Sequence, residues 1–221
     1  MEYQMNLEQA RFNMIEQQIR PWDVLDGAVL DLLSVVKREA FVPAAFKDMA
    51  FADLEIPLGH GQCMLMPRME ARMLQDLAIQ KHETVLEIGT GSGYMAALLA
   101  NRAHRVVSLE LNAELATTAR TNLRNAGVQN VEVRHADGAI KGAAEGTYNV
   151  IVLSGSVTEV PHALLDLLTI GGRLGAVVGD EPIMRATFVT RNSATDFTTR
   201  QPWDCGAPRL LNFPEPSRFV F

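Results

Sequence analysis

The segment Glu87-Ile88-Gly89-Thr90-Gly91-Ser92-Gly93 limits the architectures open to this chain more than any other feature. It follows a short apolar run, Thr84 to Ile88, and precedes an Ala/Leu-rich stretch, Tyr94 to Asn101, so it reads as a strand, a glycine loop and a helix start. Glycines let the backbone turn sharply and approach a ligand closely, and a helix start offers N–H groups without intrahelical partners. In an open parallel sheet this place, outside the carboxyl ends of the strands, is where ligands bind.

The rest of the chain supplies the expected setting. After the loop come strand candidates Arg105 to Leu109, Val131 to Arg134, Tyr148 to Leu153 and Arg173 to Val178. Asn112 is placed to cap a helix ending at Gly127, Pro161 to Leu168 reads as another helix, and Gly171-Gly172 reads as a turn. This alternation predicts an α/β fold, a mostly parallel Rossmann-like sheet with helices on both faces. From Ala186 onward, Thr/Phe/Val-rich stretches predict antiparallel edge strands. Upstream, Leu7, Met14, Ile15, Val29, Leu32, Leu33 and Val36 predict two helices over residues 7–39, broken at Arg20-Pro21. Phe41 to Pro67 reads as irregular, and Arg68 to Ile79 as a helix with an apolar stripe of Met69, Met73, Leu74 and Leu77. The expectation is a single domain, with an N-terminal helical and lid extension over 1–80, a cofactor-binding core over 81–185 and edge strands over 186–221.

Charge and composition narrow the partners. A net charge of −6 argues against nucleic acid, which needs a concentrated Lys/Arg face. No apolar run suits a membrane span, and the start, with Glu2, Glu8 and Arg11, lacks the order of a secretory signal. Cys63 and Cys205 are too few for a disulfide framework and lack zinc-ligand spacing, so a cytoplasmic protein without a metal is expected.

The loop spacing is G-x-G-x-G, not the G-x-G-x-x-G of dinucleotide sites, since Tyr94 stands where the third glycine would fall. It resembles motif I of class I methyltransferases, which implies S-adenosyl-L-methionine as cofactor. Gly89, Thr90, Gly91, Ser92 and Gly93 then form the loop around it, and Glu87 is expected to meet its ammonium, directly or through water. Glu110, about 20 residues past the glycines with Leu111 beside it, suits the ribose hydroxyls. Asp137-Gly138 suits the adenine amino group.

Further blocks resemble the protein-L-isoaspartate O-methyltransferases. Arg38-Glu39-Ala40-Phe41-Val42-Pro43 is similar to that family's RExFVP segment and Ile56-Pro57-Leu58-Gly59-His60-Gly61-Gln62 to its LPIGHGQ, and the stretch from Gly171 to Gly179 also matches. The resemblance covers about residues 10–180. It implies methyl transfer to the free carboxylate of an isoaspartyl residue, chemistry that needs alignment and desolvation rather than proton removal. Where the family has a threonine and a serine after Gln62, this chain has Cys63 and Leu65; Gln62, Cys63 and Leu65 are the acceptor-loop candidates. The expected acceptor is a protein, a peptide or a small molecule. Alternative readings are a small-molecule O-methyltransferase, favoured by Leu65 and the nearby methionines, and a non-catalytic S-adenosylmethionine-binding sensor. Ser154-Gly155-Ser156 stands where methyltransferases acting on neutral amino groups carry an Asn/Asp-Pro-Pro-Tyr/Phe run, which argues against that class. His60 is expected to stabilise its loop, Cys63 to be inert, and Trp22 and Trp203 to anchor the extension and the tail.

Overall fold

The computed structural model describes residues 7–215, so the outermost six positions at each end of the segments read from sequence lie outside it. Its centre is a seven-stranded sheet in the order β5-β4-β3-β6-β7-β8-β9. The strands are β3 (Thr84–Ile88), β4 (Arg105–Glu110), β5 (Val131–His135), β6 (Tyr148–Val157), β7 (Leu168–Asp180), β8 (Ile183–Arg191) and β9 (Phe197–Asp204). Strands β3 to β7 pair in parallel, and β8 and β9 continue as the antiparallel edge expected from the tail. Because β4 and β6 flank β3 on opposite sides, the chain leaves β3 in one direction and returns in the other. That divergence opens a crevice above the carboxyl end of β3.

Helices lie on both faces of the sheet, unevenly. The face carrying Val85, Val106, Val133, Val150, Val152 and Val177 packs on α2 (Gly27–Val35), α3 (Pro67–Leu77), α4 (Tyr94–Arg102) and α5 (Ala113–Asn125), with Met14, Ile15 and Ile19 beside them. The other face, with Leu86, Ile88, Val107, Leu109, Ile151 and Leu153, is closed by Leu164 and Leu165 of the one-turn helix α6 (His162–Leu165) and by loop and tail residues Ala144, Leu210 and Phe213. The predicted helix Pro161 to Leu168 is cut short because Tyr148 N donates to Leu167 O and Leu168 already pairs with Tyr148. Strand pairing at the sheet takes those residues from the helix. The expected turn at Gly171-Gly172 lies inside β7, where Gly171 takes φ +80 at a register shift.

Local capping follows the sequence closely. The Asn112 side chain accepts from Glu114 N and Leu115 N, and Gly127 takes the left-handed conformation beyond the end of α5. Pro67 opens α3 where its missing N–H costs nothing. The break expected at Arg20-Pro21 comes slightly later. After α1 (Leu7–Met14) the chain continues through a π turn and a 3-10 turn, Arg20 stays helical, and Asp23 at φ +59 ends the run. Burial of Met14, Ile15 and Ile19 in the core outweighs the preference of a pre-proline residue for extended backbone. The stretch 41–67, read as irregular, contains a short 3-10 segment and a hairpin of β1 (Ile56–Gly59) and β2 (Gln62–Met64). Trp203 Nε1 donates to Asp76 Oδ2, tying β9 to α3, and Arg68 stacks on Trp22. No helix among the described residues is long and apolar enough to cross a membrane.

Candidate active site

The glycine loop is built from backbone that other residues resist. Gly89, Gly91 and Gly93 have φ of +94, +55 and +89. Space enforces glycine as well: a Cβ on Gly89 would come within 2.9 Å of Leu210 Cδ2. The loop folds back onto β4, since Gly89 N and Thr90 N both donate to Leu109 O. Thr90 and Ser108 share a hydroxyl hydrogen bond of 2.5 Å beneath it.

Glu110 closes the same unit from the end of β4. One carboxylate oxygen accepts from Gly91 N at 2.8 Å and the other from Asn112 N at 2.9 Å. Each oxygen keeps acceptor capacity beyond that single bond, so both can receive vicinal hydroxyls. Gly138 packs so tightly on β3 that a Cβ would lie 2.4 Å from Ile88 Cγ2. Asp137 accepts from Ala139 N through one oxygen and from Asn212 Nδ2 through the other.

These groups surround a cleft of about 170 Å³. Gly89, Gly91, Glu110, Leu111, Asp137 and Gly138 line it on the sheet side, and Gln62 and Cys63 of the hairpin face them. Thr90, Ser92 and Leu65 line a smaller crevice behind the loop, which also meets Cys63. Gly93 is part of neither and packs on Ala119 and Leu123 at the start of α4. Glu87, expected to meet a ligand ammonium, is fully buried under the floor, with one oxygen accepting from Ser108 and the other from Ser154. Burial pushes its carboxyl up to about 8 against the downward pull of the two serines, and the nearby carboxylates of Glu70 and Glu110 add to the rise. At neutral pH Glu87 therefore keeps its proton, and Ser154 stands between it and the cleft.

The hairpin wall is assembled differently. Gly59, His60 and Gly61 all have positive φ at its tip, and His60 Nε2 lies 3.1 Å from Glu114 Oε2 of α5, across the cleft mouth. Behind the hairpin the fully buried Arg38 donates to Leu65 O at 2.7 Å and to Glu70 Oε2 at 2.5 Å, and stacks over the Tyr94 ring. Burial holds Glu70 up at about 7 despite its arginine. The Cys63 thiol is pushed up to about 12 by burial and then by Glu55, which leaves it an inert neutral group. Leu65, Met69, Met73 and Met95 line an apolar crevice that ends at Ser154.

Three wall residues have no counterpart in the sequence reading: Leu210, Leu211 and Phe213. They arrive because the tail pairs alongside β6, with Ser156 N donating to Pro208 O and Leu210 N to Ser156 O. That pairing also carries β6 on to Val157, past the expected end at Leu153. Gly206, Pro208 and Pro214, which end the edge-strand pattern, are the signal that the tail does something else. Among the described residues no cluster of ligating side chains suits a metal. The arrangement offers a glycine-rich anion and backbone surface, two carboxylates as hydrogen-bond acceptors, and apolar walls.

Known proteins share this design. The family model described as protein-L-isoaspartate(D-aspartate) O-methyltransferase matches residues 9–202. A curated relative from Syntrophobacter fumaroxidans, protein-L-isoaspartate O-methyltransferase 1, is 41% identical over 176 residues, covering 80% of this chain and 82% of the relative. Another, the protein-L-isoaspartate O-methyltransferase of Methanoculleus marisnigri, is 43% identical over 169 residues, covering 76% and 77%. A Plasmodium falciparum crystal structure assigned to the same activity, in complex with S-adenosyl-L-homocysteine, matches with a TM-score of 0.78 at 19% identity, over 93% of this chain and 98% of that one. At that identity the last likeness shows the fold.

Proposed function

The chain belongs to the protein-L-isoaspartate O-methyltransferase family, and from that premise we propose that it uses S-adenosyl-L-methionine to methylate the free carboxylate of isoaspartyl residues in proteins or peptides. One observation carries the donor half of this reading. Glu110 presents two carboxylate oxygens at the cleft, each with spare acceptor capacity, directly beside a loop whose three glycines all hold positive φ. Glu110 suits the ribose hydroxyls, Asp137 the adenine amino group, and Leu111 with Leu210 the faces of the base. Gly89 and Gly91 leave room for the remainder of the molecule.

When bound, the cofactor supplies an electrophilic methyl group on a positively charged sulfur. The acceptor carboxylate is anionic at neutral pH, so no side chain has to remove a proton. Transfer of that methyl to a carboxylate oxygen would leave the C–S electron pair on sulfur and give a methyl ester and a neutral thioether. The protein's part is to hold the two reactants in line and keep water out, which the hairpin and the tail are placed to do.

The test is incubation with methyl-labelled cofactor and matched peptides. Base-labile label on an isoaspartyl peptide, and none on its aspartyl twin, is the expected result. Label on neither, with S-adenosylhomocysteine still raising the melting temperature, would remove the acceptor assignment and keep the donor; stabilisation by NAD alone would remove both. Leu65 and the apolar crevice it shares with Met69, Met73 and Met95 favour a second reading, a small-molecule O-methyltransferase, to which labelling of hydroxylated aromatics in place of peptides would point.

A further inference from the structure

A carboxylate brought into this cleft needs a hydrogen-bond donor at its inner end, and the hairpin offers little there. Of the hairpin side chains, the Gln62 amide can donate but borders the main cleft alone, the Cys63 thiol is a weak donor in contact with Glu55, and Leu65 has nothing to donate. Opposite the hairpin, within β6 and one residue past its pairing with β3, Ser154 belongs at once to the main cleft, the crevice behind the glycine loop and the apolar crevice, and among the described residues it alone borders all three. The residue is half-buried.

We propose that Ser154 is the hydroxyl that holds the acceptor carboxylate for methyl transfer in this chain, oriented from below by Glu87. The assignment rests on the isoaspartyl reading above and deepens it. Ser154 Oγ lies 2.9 Å from Glu87 Oε1, while Ser108 donates to the other oxygen of the same carboxyl. To the ionised carboxylate Ser154 is the donor; when Oε1 carries the proton that burial holds on Glu87, the bond reverses, Glu87 donates to Ser154 Oγ, and the serine proton is free to point into the cleft at an anion. The mount is rigid: a Cβ on the next residue, Gly155, would meet Leu210 at 2.8 Å, and Ser156 is bound on both sides to the tail. A fixed donor placed where the charge of the acceptor sits costs little reorganisation. Glu87 acts through Ser154 and is a positioning residue.

Burial gives the pair a pH signature. The groups facing Glu87 are the Ser108 hydroxyl and Glu110 from β4, the Ser154 hydroxyl from β6, and Glu70 from α3. As pH rises through about 8, Glu87 loses its proton and takes the Ser154 hydrogen for itself. Acceptor affinity is then expected to fall, without a matching change in cofactor affinity.

The experiment measures methylation kinetics with an isoaspartyl peptide, and S-adenosylhomocysteine binding by calorimetry, in the full chain and in Ser154→Ala, Ser154→Thr and Glu87→Gln. Loss of a hydrogen bond to a charged group predicts a peptide KM about tenfold higher in Ser154→Ala. The S-adenosylhomocysteine Kd should stay within about twofold, since an interaction with the acceptor alone does not touch the donor. Ser154→Thr, which keeps the hydroxyl, should restore most of the affinity, and Glu87→Gln, whose amide donates at every pH, should flatten the alkaline loss. An unchanged KM in Ser154→Ala overturns the assignment, and so does an equal loss of S-adenosylhomocysteine affinity, which would make Ser154 a donor-site residue. If Ser154→Ala does not fold, the alkaline loss and its removal in Glu87→Gln decide the matter alone. An unmodified chain that neither methylates nor binds the peptide overturns the isoaspartyl reading, and this assignment with it.

Discussion

The two walls of the cleft are held by different kinds of contact. On the donor wall the important bonds run between neighbouring strand ends: Gly91 N to Glu110, Gly89 N to Leu109 O, Asn112 N to Glu110. They depend on backbone geometry that glycine permits and on the pairing of β3 with β4. On the opposite wall the hairpin is held from behind by a buried arginine, bonded to Glu70 of α3 and to the Leu65 carbonyl, and is joined in lining the cleft by a tail more than 140 residues away in sequence. The donor wall is thus a local structure that tolerates few substitutions. The acceptor wall is a long-range assembly whose lining can vary while its mounting stays, as Cys63 and Leu65 above the Arg38 anchor illustrate.

Removing the mounting should have the largest effect. Arg38→Ala leaves the buried Glu70 carboxyl without its partner, where burial drives it to the protonated form, and releases the Leu65 carbonyl; breaking a buried pair in this way costs about 3–5 kcal/mol. Denaturant unfolding would measure it, against a control in the exposed Arg105–Glu132 pair, where Arg105→Ala should cost less than about 1 kcal/mol. Equal losses at the two sites would show that the hairpin does not depend on its buried anchor.

Gly89→Ala tests the local wall. A side chain at φ +94 costs about 1–3 kcal/mol, and the added Cβ also presses on Leu210, so both melting temperature and S-adenosylhomocysteine affinity should fall. Should binding survive intact, the loop geometry is not what selects the ligand. Glu110→Ala should act on the ligand more selectively, lowering affinity by tenfold or more through loss of charged hydrogen bonds worth about 1.5–3 kcal/mol each. Leu65→Ser, by contrast, should leave that affinity unchanged, and a drop would mean that the walls are not independent.

Smaller still is the tail contact. Asn212→Ala frees one oxygen of Asp137 and should shift stability by about 1 kcal/mol or less. A test that leaves the sequence of the cleft unchanged is pH. A carboxyl raised from the usual range to about 8 is protonated in the folded chain where the unfolded chain is ionised. Its contribution to stability is therefore complete below pH 4.5 and is lost as pH rises towards 8. Glu87→Gln should reduce that slope, as read from unfolding free energies at several pH values.

Much of this was legible from residue order. The glycine spacing, the Asn112 cap, Gly127 and the alternation of strands and helices report interactions within a few residues, and each element lies where those signals put it, to within a few positions. The boundaries at Asp23, Val157 and Leu165, and the start of β7 at Leu168, differ from the expectation where a distant segment competes: core burial for the π turn, the tail for β6, and the pairing of β6 with β7 for α6 and β7. Among the residues read from sequence, Gly89, Gly91, Glu110, Leu111, Asp137 and Gly138 line one cleft, because strand-end placement alone brings them together. Glu87 shows the limit of that logic: its position was clear, and its protonation depends on burial that no local pattern reveals.

By itself, then, the sequence determined the loop conformation, the parallel sheet beneath it and the carboxylates at the strand ends, since φ preferences, capping and periodicity act over short separations. Tertiary structure alone decided that Arg38 anchors Leu65, that Leu210, Leu211 and Phe213 close the cleft, and that Ser154 rather than Glu87 faces it. Those outcomes follow from long-range packing, where the cost of burying charge and the exclusion of side chains from a filled core select among arrangements that local preferences leave equal.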